Sequence, residues 1–263
     1  MIISNARKAA FIHIPKCGGT TARSFLSSLQ DIEDWEGVYD HPDLGEVFPA
    51  HLTLFQLQKY YPSTLERLDS YETFAFVRDP RARFVSSLAE HIRKYHGGMY
   101  EMTTRQLQRK AGRICELLSN HDSNLPLHLA HFQPQSRYVF LHGRRFVKTI
   151  FLLSDYAAIA TYTHRTFGSA LHMEEQKQNQ TITYRNNLVA ECLVLLRRSV
   201  RGFGLVPDFM KAPFRKVLYR EASLEWRENV ISGSVEAFIE DYYQEDIRLF
   251  EGIKSARGCV DAI

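Results

Sequence analysis

An apolar run, Phe11-Ile12-His13-Ile14, passes through Pro15 and Lys16 into Cys17-Gly18-Gly19-Thr20-Thr21 and then into a helix-like stretch. A strand that turns through paired glycines into a helix commits the chain to an α/β arrangement with an anion-sized loop at the strand's exit. Glycines let backbone N–H groups approach an anion closely. The helix N-terminus adds about half a unit of positive charge, and the lysine adds a full one.

Residue order narrows the ligand. In the ATP-binding loop G-x-x-x-x-G-K-[ST] the lysine follows the glycines and a hydroxyl ligates Mg²⁺. Here Lys16 precedes Gly18 and Gly19, and no Gly-Lys-Ser or Gly-Lys-Thr occurs. A lysine at the strand's exit reaches the anion from the sheet side and leaves the metal-binding slot unfilled, so no Mg-nucleotide site and no metal is expected.

A second element runs from Tyr71 to Ser87. Thr73 to Val77 is short, apolar and partly β-branched, as a buried central strand requires. Arg78 stands at its C-terminal end. Asp79 and Pro80 suit the N-cap and first position of a helix whose buried face carries Phe84, Val85, Leu88 and Ile92. Ser86 falls about two turns into that helix. Arg78 and Ser86 thus form a second anion clamp on the same carboxyl edge of the sheet, and two clamps imply a ligand with two separated phosphate-type groups.

Pro15-Lys16-x-Gly18-Gly19-Thr20-Thr21 together with Val77-Arg78-Asp79-Pro80-x-x-Arg83-x-x-Ser86 resembles the sulfotransferases. The branch it resembles is the carbohydrate one, that of heparan sulfate 2-O-sulfotransferase and its bacterial relatives. The resemblance implies that Lys16, Cys17, Gly18, Gly19, Thr20 and Thr21 bind the 5′-phosphosulfate of 3′-phosphoadenosine 5′-phosphosulfate (PAPS). It implies that Arg78 and Ser86 bind the 3′-phosphate, with PAP as product. Ala50-His51 lies where these enzymes carry a Gly-His pair whose histidine is the catalytic base; alanine here replaces that glycine. Phe132-Gln133-Pro134-Gln135-x-x-Tyr138, Phe151-Leu152-Leu153-Ser154-Asp155-Tyr156 and Tyr242-Tyr243-x-x-Asp246-x-x-Leu249-Phe250 resemble later parts of the family pattern.

The implied reaction is in-line sulfuryl transfer. Lys16 stabilises the departing phosphate oxygen and the loop amides hold the 5′-phosphate. His51 takes the acceptor's proton, a task suited to an imidazole. Two other readings stay open: a P-loop nucleotide kinase, and a nucleotide-binding module that has lost catalysis and serves in interaction.

With 263 residues and 44% hydrophobic content, the chain can bury one α/β core, and residues 1–263 are expected to form a single domain. A net charge of only +3 gives no nucleic-acid signature. The apolar runs fall far short of the ~20 residues a membrane span needs, and the N-terminus lacks a signal peptide's apolar stretch. The expected compartment is the cytoplasm if the chain is complete, and the Golgi lumen if it is an excised domain. Cys17, Cys115, Cys192 and Cys259 are scattered without a C-x-x-C pair, against a zinc site or disulfide framework. The thiol of Cys17, near a helix N-terminus, is either lowered in pKa and reactive or a small loop filler whose backbone does the binding.

The pattern predicts strands near 9–14, 73–77 and 148–153, and helices near 20–29, 80–95, 103–119, 154–166, 186–200 and 234–251. This alternation predicts a P-loop-like parallel sheet flanked by helices on both faces. Residues 31–50 read as a long functional loop leading to His51, and the glutamine-rich 172–185 as a segment that closes over the cofactor. The acceptor is expected, from the resemblance, to be a glycan, with a small hydroxylated metabolite or lipid remaining open. Basic clusters at Arg105, Arg109, Lys110 and Arg113, at Arg144-Arg145 and at Arg197-Arg198-Arg201 could grip it, and Trp35, Tyr39, Tyr95 and Tyr100 could stack on sugar rings. His128 and His131 have ligand-like spacing but no third ligand nearby.

Overall fold

The structure is a computed structural model that describes residues 1–32, 37–96, 102, 104–121, 125–168, 182–184, 219–221, 230–231 and 233–258. The chain opens with β1 (Ile2–Ser4), β2 (Ala9–Phe11) and α1 (Gly19–Leu26), followed by a hairpin of β3 (Tyr39–His41) and β4 (Gly45–Val47). A 3-10 turn over Pro49–His51 leads to α2 (Leu54–Tyr60), α3 (Pro62–Ser70), β5 (Glu72–Val77), α4 (Pro80–Tyr95) and α5 (Thr104–Ser119). A further 3-10 stretch, Leu127–Phe132, precedes α6 (Ser136–Val139), β6 (Phe140–Leu141), β7 (Arg144–Arg145), β8 (Thr149–Leu152) and α7 (Tyr156–Phe167). Beyond these come β9 (Ile182–Tyr184), paired with β10 (Tyr219–Glu221), then α8 (Gly233–Tyr242) and α9 (Gln244–Gly258).

The fold is mixed α/β. Four strands make the central sheet in the order β1-β2-β5-β8, with β2, β5 and β8 parallel and β1 antiparallel at the edge. Thr73 to Val77 are all buried, the near-continuous apolar run a covered parallel strand needs. The antiparallel edge was not expected. It arises because Asn5 and Ala6 donate their N–H groups to the Asp31 carboxylate at 2.7 and 2.9 Å, closing a tight return in which Lys8 has φ +48°. These bonds hold the Asp31 carboxyl below its ordinary range.

The strand expected over 9–14 leaves the ladder early. Its last sheet bond runs from Ile12 N–H to the Phe74 carbonyl at 2.8 Å, because the chain must lift off the sheet to build the loop. Asp79 caps α4 as expected, its Oδ1 accepting from Ala82 N–H at 2.8 Å, and Phe84, Val85, Leu88 and Ile92 are buried. Asp155 instead holds the strand end, Oδ2 accepting from Leu152 N–H at 3.0 Å, so α7 begins at Tyr156 rather than 154. The helix expected over 234–251 is two, broken at Tyr243. The expected loop 31–50 contains the β3–β4 hairpin. The helix expected over 186–200 lies outside the described residues, as does the 172–185 segment apart from β9.

The chain divides into two compact units: Met1–Phe84, Asp122–Gln176 and Ile239–Ile263 in the first, Val85–His121 and Lys177–Phe238 in the second. The core of the first unit gathers the sheet residues Ile2, Ile3, Phe11, Phe74 and Phe76 with Leu26, Leu57, Leu68 and Tyr162. In the second unit α5 buries Leu107, Ala111, Ile114, Cys115 and Leu118, while Arg105, Arg109 and Arg113 are exposed on its far side. Among the described residues, no helix is long and apolar enough to cross a membrane.

Candidate active site

The first loop departs from ordinary backbone geometry at Lys16 (φ +65°) and Gly18 (φ +74°). A left-handed residue on each side of Cys17 curls the chain, and curled segments of this kind turn their amides toward a common anion. For glycine the conformation is free, whereas for a lysine it costs about 1 kcal/mol or more and persists only where the surroundings enforce it. Cys17 N–H bonds back to the Ile14 carbonyl at 3.3 Å, closing the curl. Gly18 is the N-cap of α1 and offers no side-chain bond to its first turn. The early amides of α1, around Gly19, Thr20 and Thr21, are donors the helix does not use internally.

Cys17 itself is fully buried and donates its S–H to Gln135 Oε1 at 3.1 Å. Burial pushes its thiol up to about 12, outweighing the nearby Arg83 and Arg78 charges. The thiol is thereby held in its neutral form, because desolvation penalises the anion more than two guanidinium groups favour it.

The second loop meets the first. Arg78, at the end of β5, donates from Nη1 to the Lys16 carbonyl at 3.4 Å. Its sequence neighbour Asp79 is engaged as the α4 cap. Lys16, the glycine loop and Arg78 therefore share one edge of the first unit, at the carboxyl ends of adjacent parallel strands. Ser86 lies on α4 past Phe84, in the second unit, partly exposed.

His51 ends the 3-10 turn that follows the hairpin, and its carbonyl accepts from the buried Tyr138 hydroxyl at 3.0 Å. Its ring sits among three others: Phe48 at 4.8 Å between centroids, His13 at 4.9 Å and His131 at 5.2 Å. The Arg23 guanidinium lies 5.8 Å from the Phe48 ring centre. Both His51 and His13 are held well below the usual imidazole range, chiefly by burial and further by neighbouring positive groups. His13 also explains a glycine. A Cβ at position 19 would stand 1.6 Å from His13 Nε2, so only glycine leaves room for that ring over the loop. His128, by contrast, is exposed. Among the described residues, no group of three or more His, Cys, Asp or Glu side chains is arranged to hold a metal ion.

Beneath both loops lies a buried polar network. Gln135 Oε1 accepts from Arg78 N–H at 2.9 Å while its Nε2 donates to the Arg78 carbonyl at 2.9 Å. Gln135 N–H and Ser136 N–H donate to the two Asp246 oxygens at 2.7 and 2.8 Å. Arg83, 1% exposed, reaches the His131 and Gln133 carbonyls at 3.1 and 2.8 Å and stands 3.7 Å from Asp246. Burial pushes the Asp246 carboxyl up, opposed by Arg83 and by the two N–H bonds. Sequence reading named none of His13, Arg83, Gln135 or Asp246 as site residues and weighed His131 only as a metal ligand. The only available signal was that Arg83, Gln135 and Asp246 fall within the stretches resembling the family pattern.

A glycine loop leaving a parallel strand for a helix, with a second basic strand end beside it, defines a P-loop-like α/β protein. The family model described as the Sulfotransferase family matches residues 1–251, and the chain belongs to that family. Its reaction class is sulfuryl transfer. No curated protein and no solved structure matches the chain.

Proposed function

We propose that the protein transfers a sulfuryl group from PAPS to a hydroxyl of a carbohydrate acceptor, as a bacterial-type member of the carbohydrate branch acting through a single domain. The observation that carries the donor assignment is the meeting of Lys16 and Arg78 at one sheet edge. One loop suits a 5′-phosphosulfate, and the other, at Arg78, suits a 3′-phosphate that ATP lacks.

Fit to the donor is supported by the curl at Lys16 and Gly18 and by the amides opening α1. The donor supplies an activated S–O bond. Lys16 stabilises the negative charge that collects on the bridging phosphate oxygen as that bond breaks. His51 accepts the proton of the attacking hydroxyl as its oxygen bonds to sulfur. Being held neutral by burial, the imidazole is already in the base form near pH 7.

Thermal melting tests the donor: PAP should raise the melting temperature far more than ATP with Mg²⁺, and equal effects would exclude this reading. Transfer of ³⁵S from labelled PAPS to pooled glycans and small hydroxylated compounds tests the acceptor. Labelling only of non-carbohydrate compounds would refute the glycan assignment while leaving the donor intact.

A further inference from the structure

Where β2 and β5 stop pairing, at Ile12 and Phe74, their continuations diverge into the two loops. Main-chain bonds no longer fix the distance between them. The Gln135 side chain fills that gap. Its amide closes a two-point pairing with the Arg78 main chain, as a neighbouring strand would, and the same Oε1 takes the Cys17 thiol from the other loop. Gln135 has no solvent exposure. Its own backbone is pinned by Asp246, which faces the buried Arg83.

We infer that Gln135 is a positioning residue that sets the spacing between the two anion-binding loops. Through that spacing it selects a ligand whose anionic groups are separated across the 3′ and 5′ positions. It touches no ligand itself. The inference rests on the donor reading above, since the discrimination it explains is between one phosphate arrangement and another. A rigid gauge between two loops matters for a ligand that must satisfy both at once and matters little for a ligand gripped by one.

Two nucleotides separate these cases: PAP, with one phosphate at each position, and adenosine 5′-diphosphate, with both phosphates at the 5′ end. Calorimetry or competition binding on the full chain gives the affinity of each. Gln135→Leu is expected to weaken PAP about tenfold or more while changing adenosine 5′-diphosphate by about threefold or less. Gln135→Glu keeps an acceptor for Arg78 N–H and for the thiol but replaces the amide donor with a buried carboxyl, and should retain only part of the wild-type preference. Should Gln135→Leu fail to fold, Cys17→Ala removes the first-loop end of the bridge alone and should reduce the PAP preference in the same direction. Equal weakening of both nucleotides by Gln135→Leu and by Cys17→Ala overturns the role of Gln135. A wild-type protein that does not prefer PAP overturns the donor reading. A wild-type preference that both Gln135→Glu and Cys17→Ala keep unchanged overturns the role of Gln135 and leaves the donor reading standing.

Discussion

At Lys16 the backbone and the proposed chemistry coincide: the residue with a left-handed φ of +65° is also the cation at the strand's exit. Lys16→Ala and His51→Ala should each lower turnover by roughly a hundredfold or more in a labelled-sulfate assay. The histidine change should leave PAP affinity nearly intact. Arg78→Ala should instead weaken PAP by about 2 kcal/mol or more, read by calorimetry, as a charge-assisted contact is lost. Because burial depresses the His51 pKa, its base form survives to lower pH than an ordinary histidine's. The acid limb of kcat/KM for the acceptor should therefore fall below pH 6.5, the unperturbed value. Gly19→Ala forces the new methyl group into the His13 ring, so PAP binding, read by calorimetry, should weaken. The double variant Gly19→Ala, His13→Ala should then recover binding of PAP relative to the single one.

Among elements, the strands and helices that frame the loops were legible in sequence, because their signals are local. The apolar run Thr73–Val77, the Asp79 cap and the Phe84, Val85, Leu88, Ile92 face all lie within one continuous stretch. The polar layer beneath the loops was not, since Arg83, Gln135 and Asp246 meet only after the chain has folded across great sequence separations. A buried arginine and a surface arginine look alike in sequence. The difference is energetic: Asp246 on α9 accepts from Gln135 and Ser136 N–H and faces Arg83, and removing one partner strands the other charge in a dry interior. Asp246→Ala should cost about 3–5 kcal/mol, measured by chemical denaturation, far more than a surface carboxylate would. Tyr243 adds to the same junction, its hydroxyl donating to the Phe132 carbonyl at 2.7 Å and its ring lying 5.3 Å from the Arg83 guanidinium.

For the molecule as a whole, the depressed histidines link stability to pH. The unfolded chain binds protons at His13 and His51 near the ordinary value of 6.5, whereas the folded chain resists them until lower pH. Between those limits the unfolded state carries more protons, so stability is full above about pH 7 and falls as the pH drops below 6.5. Melting curves across this range should show the decline. Replacing both histidines with glutamine should flatten it.

The first compact unit is stitched from three separate lengths of chain, and the last of them supplies Asp246. Along the chain the glycine loop, His51 and Arg78 follow one another closely, whereas the carboxylate that pins Gln135 lies 111 residues beyond it. A chain interrupted before residue 246 would hold every proposed catalytic group while lacking the clasp that gauges them.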